Sequence, residues 1–137
     1  MRSISTPDAP RPAGHYSQAV VHGGLVFVAG MLPLDPATGA LVSDDISVQT
    51  ERTLRNVEAV LLAAGSDLDR LVAVTIFVTD VALWPRVNEA YARVLGDHRP
   101  SRAVVPVLPL RHGALIEIQC IAAVDPDKAR ASGEHLT

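Results

Sequence analysis

From residue 17 onward the chain alternates short apolar runs with turn signals. Ser17-Gln18-Ala19-Val20-Val21 and Leu25-Val26-Phe27-Val28-Ala29 flank His22-Gly23-Gly24, a pattern that predicts a β-hairpin. Met31-Leu32-Pro33-Leu34 follows as a short third strand candidate. Asp35-Pro36-Ala37-Thr38-Gly39 reads as a turn. Residues 45–64 then switch to helical period: Leu54, Val57 and Leu61 share a stripe with Val60 and Ala64 beside them. Asp44 or Asp45 can cap its start and Gly65 can end it. Residues 71–79 return to period two, with Val72, Val74, Ile76 and Val78 on one face. A second helix is predicted from about residues 81–83, with Trp84, Val87, Tyr91 and Val94 as its buried stripe and Pro85 in its first turn. Gly96-Asp97-His98-Arg99-Pro100 ends it. Ser101–Val107 reads as a short strand interrupted by Pro106. Ala114–Val124 is almost wholly apolar and reads as a central strand.

That order predicts an α+β domain: a mixed six-stranded sheet with two helices packed on one face. The other face then needs cover, which an oligomer interface would supply. The domain is expected to span 14–124, with residues 1–13 as a flexible lead-in and 125–137 as a flexible, frayed tail.

Composition narrows the function more than the fold. The chain has 137 residues, 48% of them hydrophobic and only 4% aromatic, so the core must be built mostly of Val, Leu, Ile and Ala. Twelve Lys and Arg against fifteen Asp and Glu give a net charge of −3. Without a basic stripe to neutralise phosphates, the chain is a poor nucleic-acid binder. One cysteine, Cys120, cannot form an internal disulfide and reads as an inert buried thiol. The start of the chain lacks the apolar core of a signal peptide, and no run approaches ~18 apolar residues, so a cytoplasmic protein with no membrane partner is expected. His15, His22, His98, His112 and His135 show no metal-ligand spacing, so no metal site is expected.

Three residues stand out against this background. Glu117 sits inside the most apolar strand, and parity puts it with Gln119 opposite Ile116 and Ile118. Alone it reads equally as a solvent-facing residue or the partner of a structural arginine. Arg102 stands at the mouth of a strand entering the core. It could be a solvated surface residue, yet a planar two-pronged guanidinium is also the best side chain for a carboxylate. Tyr16, between His15 and Ser17, suits either packing with a wet hydroxyl or a site.

Several segments together resemble the Rid family (YjgF, reactive intermediate deaminase, formerly called L-PSP endoribonucleases). They are Gly14-His15-Tyr16-Ser17-Gln18-Ala19, Leu25–Pro33, Asp35–Gly39, Arg55-Asn56-Val57 to Ala64-Gly65, Val87-Asn88-Glu89-Ala90-Tyr91, Pro100-Ser101-Arg102-Ala103-Val104-Val105 and Ile116-Glu117-Ile118. The match runs from about residue 14 to residue 124.

The resemblance implies a chorismate-mutase-like α+β fold and a homotrimer whose clefts lie between subunits. It implies hydrolysis of 2-imino acids and their enamines to 2-keto acids and ammonia, with no cofactor. Arg102 would pair with the substrate carboxylate and Glu117 would position or activate water. Tyr16, Gly30, Asn88 and Val104 would line the site, Gly30 and Val104 through their backbones. The chain departs from the family pattern at His15, where Pro is usual, at Ala29 in place of Ser, at Met31 in place of Gln, at Val104 in place of Cys, and at Pro106 and Leu108. These changes make the pocket more apolar and point to a bulkier or less polar imine. Competing readings are a deaminase dedicated to one pathway, such as an aminomuconate type, a non-catalytic metabolite-binding trimer, and a ribonuclease, against which the acidic charge argues.

Overall fold

The computed structural model describes residues 1–131. Six strands form one mixed sheet: β1 (Arg2–Ile4), β2 (Ala19–His22), β3 (Leu25–Met31), β4 (Leu71–Val78), β5 (Ser101–Pro106) and β6 (Ile116–Ala123). Their order across the sheet is β1-β2-β3-β6-β4-β5, and only β4 and β5 run parallel. The apolar strand β6 is central, between β3 and β4. Helices α1 (Ile46–Ala63) and α2 (Trp84–Leu95) are the crossovers after β3 and β4. A short helix, α3 (Pro126–Ala131), follows β6. The tail expected to fray therefore begins as helix, and its residues 132–137 lie outside the described residues.

Each long helix starts and ends for a local reason. The Asp45 carboxylate accepts from the Val48 backbone N–H at 3.0 Å, satisfying a donor that the first turn leaves free. At the other end Gly65 takes φ +79°, which only glycine adopts cheaply. This lets the Ser66 and Gly65 N–H groups bond back to the Leu61 and Leu62 carbonyls, the reciprocal pair that closes a helix C-terminus. Leu54, Val57, Val60 and Leu61 of α1, with Val87, Ala90 and Tyr91 of α2, bury their stripes against Val74, Ile76, Val78, Ile116 and Ile118 of the sheet.

Two expectations change. The third strand candidate at Met31–Leu34 is not the sixth strand; β1 is, and it pairs antiparallel with β2 inside the supposed lead-in. Residues 5–13 are held as well. The buried Gln18 amide accepts from the Thr6 N–H at 2.7 Å and donates to the Thr6, Ala9 and Pro10 carbonyls. One polar side chain thus satisfies four backbone groups that a loose segment would leave to water. Val72 also leaves the predicted face. A register shift between Leu71 and Ala73 adds a residue to β4, so Leu71 is buried and Val72 is exposed.

The sheet face away from the helices carries Phe27, Thr75, Phe77, Val105, Glu117, Gln119 and Ile121, and among the described residues no element covers it. Phe27 remains 42% exposed there. Four of these seven residues are apolar, and apolar side chains left open on a sheet face are a common mark of an interaction surface.

Candidate functional site

The residues singled out in the sequence fall into two groups, on opposite faces of the sheet. The first lies at the β5 edge. Arg102 is paired in register with Val74, whose side chain is buried under the helices. Its own side chain therefore leaves the sheet on the helix side and meets α2. There the guanidinium carbon sits 4.5 Å from the centroid of the Trp84 ring and 4.7 Å from that of Tyr91. Both distances are within cation–π range, and aromatic faces attract a weakly hydrated guanidinium. Nη1 donates to the Asn88 side-chain oxygen at 3.1 Å. Val104 lies two residues further along β5 on the same face. No carboxylate pairs with Arg102 among the described residues.

Trp84 and Tyr91 were legible as a buried helical stripe, but not as a platform for arginine. Their spacing of seven residues puts them two turns apart on one helix face, and Asn88 stands between them near that face. The β4–β5 pairing then sets Arg102 against that row. Tyr91 is buried, and among the described residues its hydroxyl finds no well-aligned hydrogen-bond partner, the Arg102 guanidinium lying close by. Burial pushes its pKa up, and the Arg102 charge partly opposes the shift. Beside Arg102 opens a groove of about 410 Å³, lined by Asn88, Tyr91, Leu95, Arg99 and Pro100 among others.

The second group lies on the open face, where β3 meets β6. The two strands fall out of register between Val28 and Met31, which places a bulge at Ala29-Gly30. The Glu117 side chain lies across that bulge. A Cβ on Gly30 would stand 2.8 Å from Glu117 Oε2 and 2.9 Å from its carboxyl carbon, closer than real Cβ contacts come. Glycine at position 30 is thus what lets Glu117 lie against the backbone. Glu117 is half-buried, and that loss of water pushes its pKa above the ordinary carboxylate value. No hydrogen bond or ion pair reaches it among the described residues.

Tyr16 joins this second group. It lines a small recess with Gly30, Met31, Arg111 and His112. Its ring is half exposed, and its hydroxyl accepts from the Ala13 N–H at 3.2 Å. The Gln18 clamp fixes the segment that Tyr16 leans on. A further support was missed in the sequence. Asn56, fully buried on α1, donates to the carbonyls of Leu32 (3.0 Å) and Leu34 (2.9 Å), fixing the chain just past Gly30. Gln49, also buried on α1, accepts from Leu115 N–H at 2.8 Å, just before β6.

Other candidates resolve simply. Cys120 is buried, and burial pushes its thiol up to about 12, so it holds its proton. Among the described residues no group of three His, Cys, Asp or Glu side chains could hold a metal. No described helix is long and apolar enough to cross a membrane.

Known proteins resemble this chain closely. A family model described as Endoribonuclease L-PSP matches residues 6–124. The Arabidopsis thaliana protein named Reactive Intermediate Deaminase A, chloroplastic, is 41% identical over 121 residues, covering 88% of this chain and 65% of its own. The crystal structure of YyfA from Yersinia pestis, titled as a conserved Rid family protein of unknown function, superimposes with a TM-score of 0.87 at 42% identity, over 90% of this chain and 98% of that one. E. coli TdcF, crystallised with bound serine, gives a TM-score of 0.86 at 33% identity over 91% and 100% of the two chains. Sequence, strand order and structural match agree: the chain belongs to the Rid (YjgF, L-PSP) family.

Proposed function

We propose that the protein hydrolyses reactive 2-imino acids, or their enamines, to 2-keto acids and ammonia, in a site that two copies of the chain build together. The observation that carries this reading is Arg102: a guanidinium held between two aromatic rings, oriented by Asn88, with no carboxylate of its own among the described residues. Such a group is pre-arranged for a two-pronged bond to a substrate carboxylate. That E. coli TdcF holds serine, a small carboxylate, is consistent with the same chemistry.

Arg102 and Glu117 leave opposite faces of one sheet. A single substrate can reach both only if a second copy brings its Glu117, Gly30 and Tyr16 group to the β5 edge of the first. The uncovered apolar face offers the surface for that contact, and a closed trimer would repeat the contact three times. Trimerisation is part of the proposal.

The reaction asks little beyond positioning. With its carboxylate on Arg102, the imine, protonated on nitrogen, presents C2 to water. Glu117 accepts a proton as the water oxygen bonds to C2, giving a carbinolamine. The proton then passes to the amine nitrogen. The C–N bond breaks, ammonia leaves, and the remaining hydroxyl becomes the keto oxygen once its proton is lost. A carboxylate with a raised pKa makes both transfers easier near neutral pH.

The test is a coupled assay. A threonine dehydratase generates 2-iminobutanoate, and 2-ketobutanoate formation is followed with and without the protein. A faster rate with the parent and none with Arg102→Ala is expected. No acceleration by the parent protein would overturn the proposal, and keto-acid binding without turnover would recast the protein as a metabolite-binding module.

A further inference from the structure

We infer that the groove beside Arg102 selects imino acids bearing a second carboxylate at the far end of the side chain. The inference rests on reading Arg102 as the anchor of the first carboxylate. In the single chain the groove measures about 410 Å³, within the ~300–1,000 Å³ of small-molecule sites.

Its walls differ in chemistry. Tyr91, Ala92 and Leu95 make the α2 side, which suits methylene groups. Arg99 and Arg102 stand on the other side, and no Asp or Glu lines the groove. Neither arginine is paired to a carboxylate among the described residues. Arg99 is held at this rim rather than on a free loop. The neighbouring His98 donates from Nε2 to the Leu71 carbonyl at 2.8 Å, tying the turn to β4. Pro100 restricts the backbone on the other side.

Both arginines line one groove without a carboxylate partner among the described residues, and a ligand with a carboxylate at each end can pair with both. The substrate class is then a 2-imino dicarboxylate with a short methylene chain. This revises the expectation of a less polar imine. Of the apolar departures, Ala29 lies at the bulge beside Glu117 and Met31 turns into the core opposite Ile118, whereas the groove on the Arg102 side is basic. The reaction that supplies such a substrate must oxidise or eliminate from an acidic amino acid.

Calorimetry with 2-ketoglutarate and 2-ketobutanoate tests this on the full chain. The parent should bind 2-ketoglutarate at least about tenfold more tightly than 2-ketobutanoate, as expected for one added charge-assisted bond. Arg99→Ala should remove most of that difference. Arg93→Ala deletes the same charge outside the groove and should keep it. Equal affinities in the parent, or a preference that survives Arg99→Ala, would overturn the inference. Arg102→Ala checks its foundation separately. Loss of both ligands upholds the anchor, whereas binding of both that survives this change removes the anchor and the inference with it.

Discussion

The two halves of the site solve opposite problems. At the β5 edge, Arg102 stays exposed and is held in place by rings and one hydrogen bond. At the β3–β6 bulge, Glu117 is half-buried, its side chain without a partner among the described residues, and its charge is made costly. In the proposed reaction the first half holds the substrate carboxylate and the second takes a proton from water. The contrast teaches that neither half is a finished site, and that the fold places them where one protomer cannot join them.

The sharpest way to break the comparison is to remove the cation. Arg102→Ala should lower kcat/KM on 2-iminobutanoate by about a hundredfold or more, the loss of two charge-assisted hydrogen bonds. Arg102→Lys should recover only part of it, because an ammonium lacks the two-pronged fork. Steady-state kinetics reads both.

Next in size is the glycine under Glu117. Gly30→Ala puts a methyl group 2.8 Å from Oε2, and the flexible carboxylate must move. We expect about a tenfold or greater fall in kcat, with KM changed less, since the displaced group acts on water rather than on the substrate carboxylate. Thermal unfolding should shift little, because the side chain can swing toward the open face.

Glu117→Gln probes the same group through stability. Burial raises the folded-state pKa of Glu117, so folding favours its protonated form. The native state therefore loses stability as pH rises from the ordinary carboxylate value through the raised one. Glutamine removes that penalty. The variant should melt above the parent at pH 7, and the gap should close below about pH 4, where both states of the parent are protonated. A constant gap across pH would mean that the change acts through packing.

The smallest effect is expected at Tyr91→Phe. The hydroxyl is buried without a well-aligned hydrogen bond among the described residues, so deleting it should leave stability unchanged or raise it by about 1 kcal/mol. The ring beneath Arg102 is kept, so keto-acid binding should survive. A large loss of binding would show that the hydroxyl, and not the ring face, serves the site.

Much of this was readable before any coordinates. Helical stripes, the hairpin and the central strand β6 follow from periodicity, since each reports burial on one face. Strand β1 was not readable: three residues carry no period, and their strand character comes from the free edge of β2. Val72 was misassigned because a bulge moves one residue to the other face while the pattern continues. Nothing in the sequence marks Gln18, Gln49 and Asn56 as buried supports. Their role depends on backbone groups far along the chain that only the fold brings near, 24 residues away for Asn56 and Leu32. Arg102 and Glu117 could each be placed on a face of a strand by parity. That the faces are opposite needed the register of β4 with both β5 and β6.

The central claim is that Arg102 of one copy works with Glu117 of another. Co-expression of Arg102→Ala with Glu117→Gln, each inactive alone, tests it directly. If sites form between copies, random assembly leaves some interfaces with both native groups. Activity should then return to about a quarter of the parent's, the share of interfaces that such pairing makes intact. A mixed assembly of confirmed composition that stays as inactive as either variant would contradict the account.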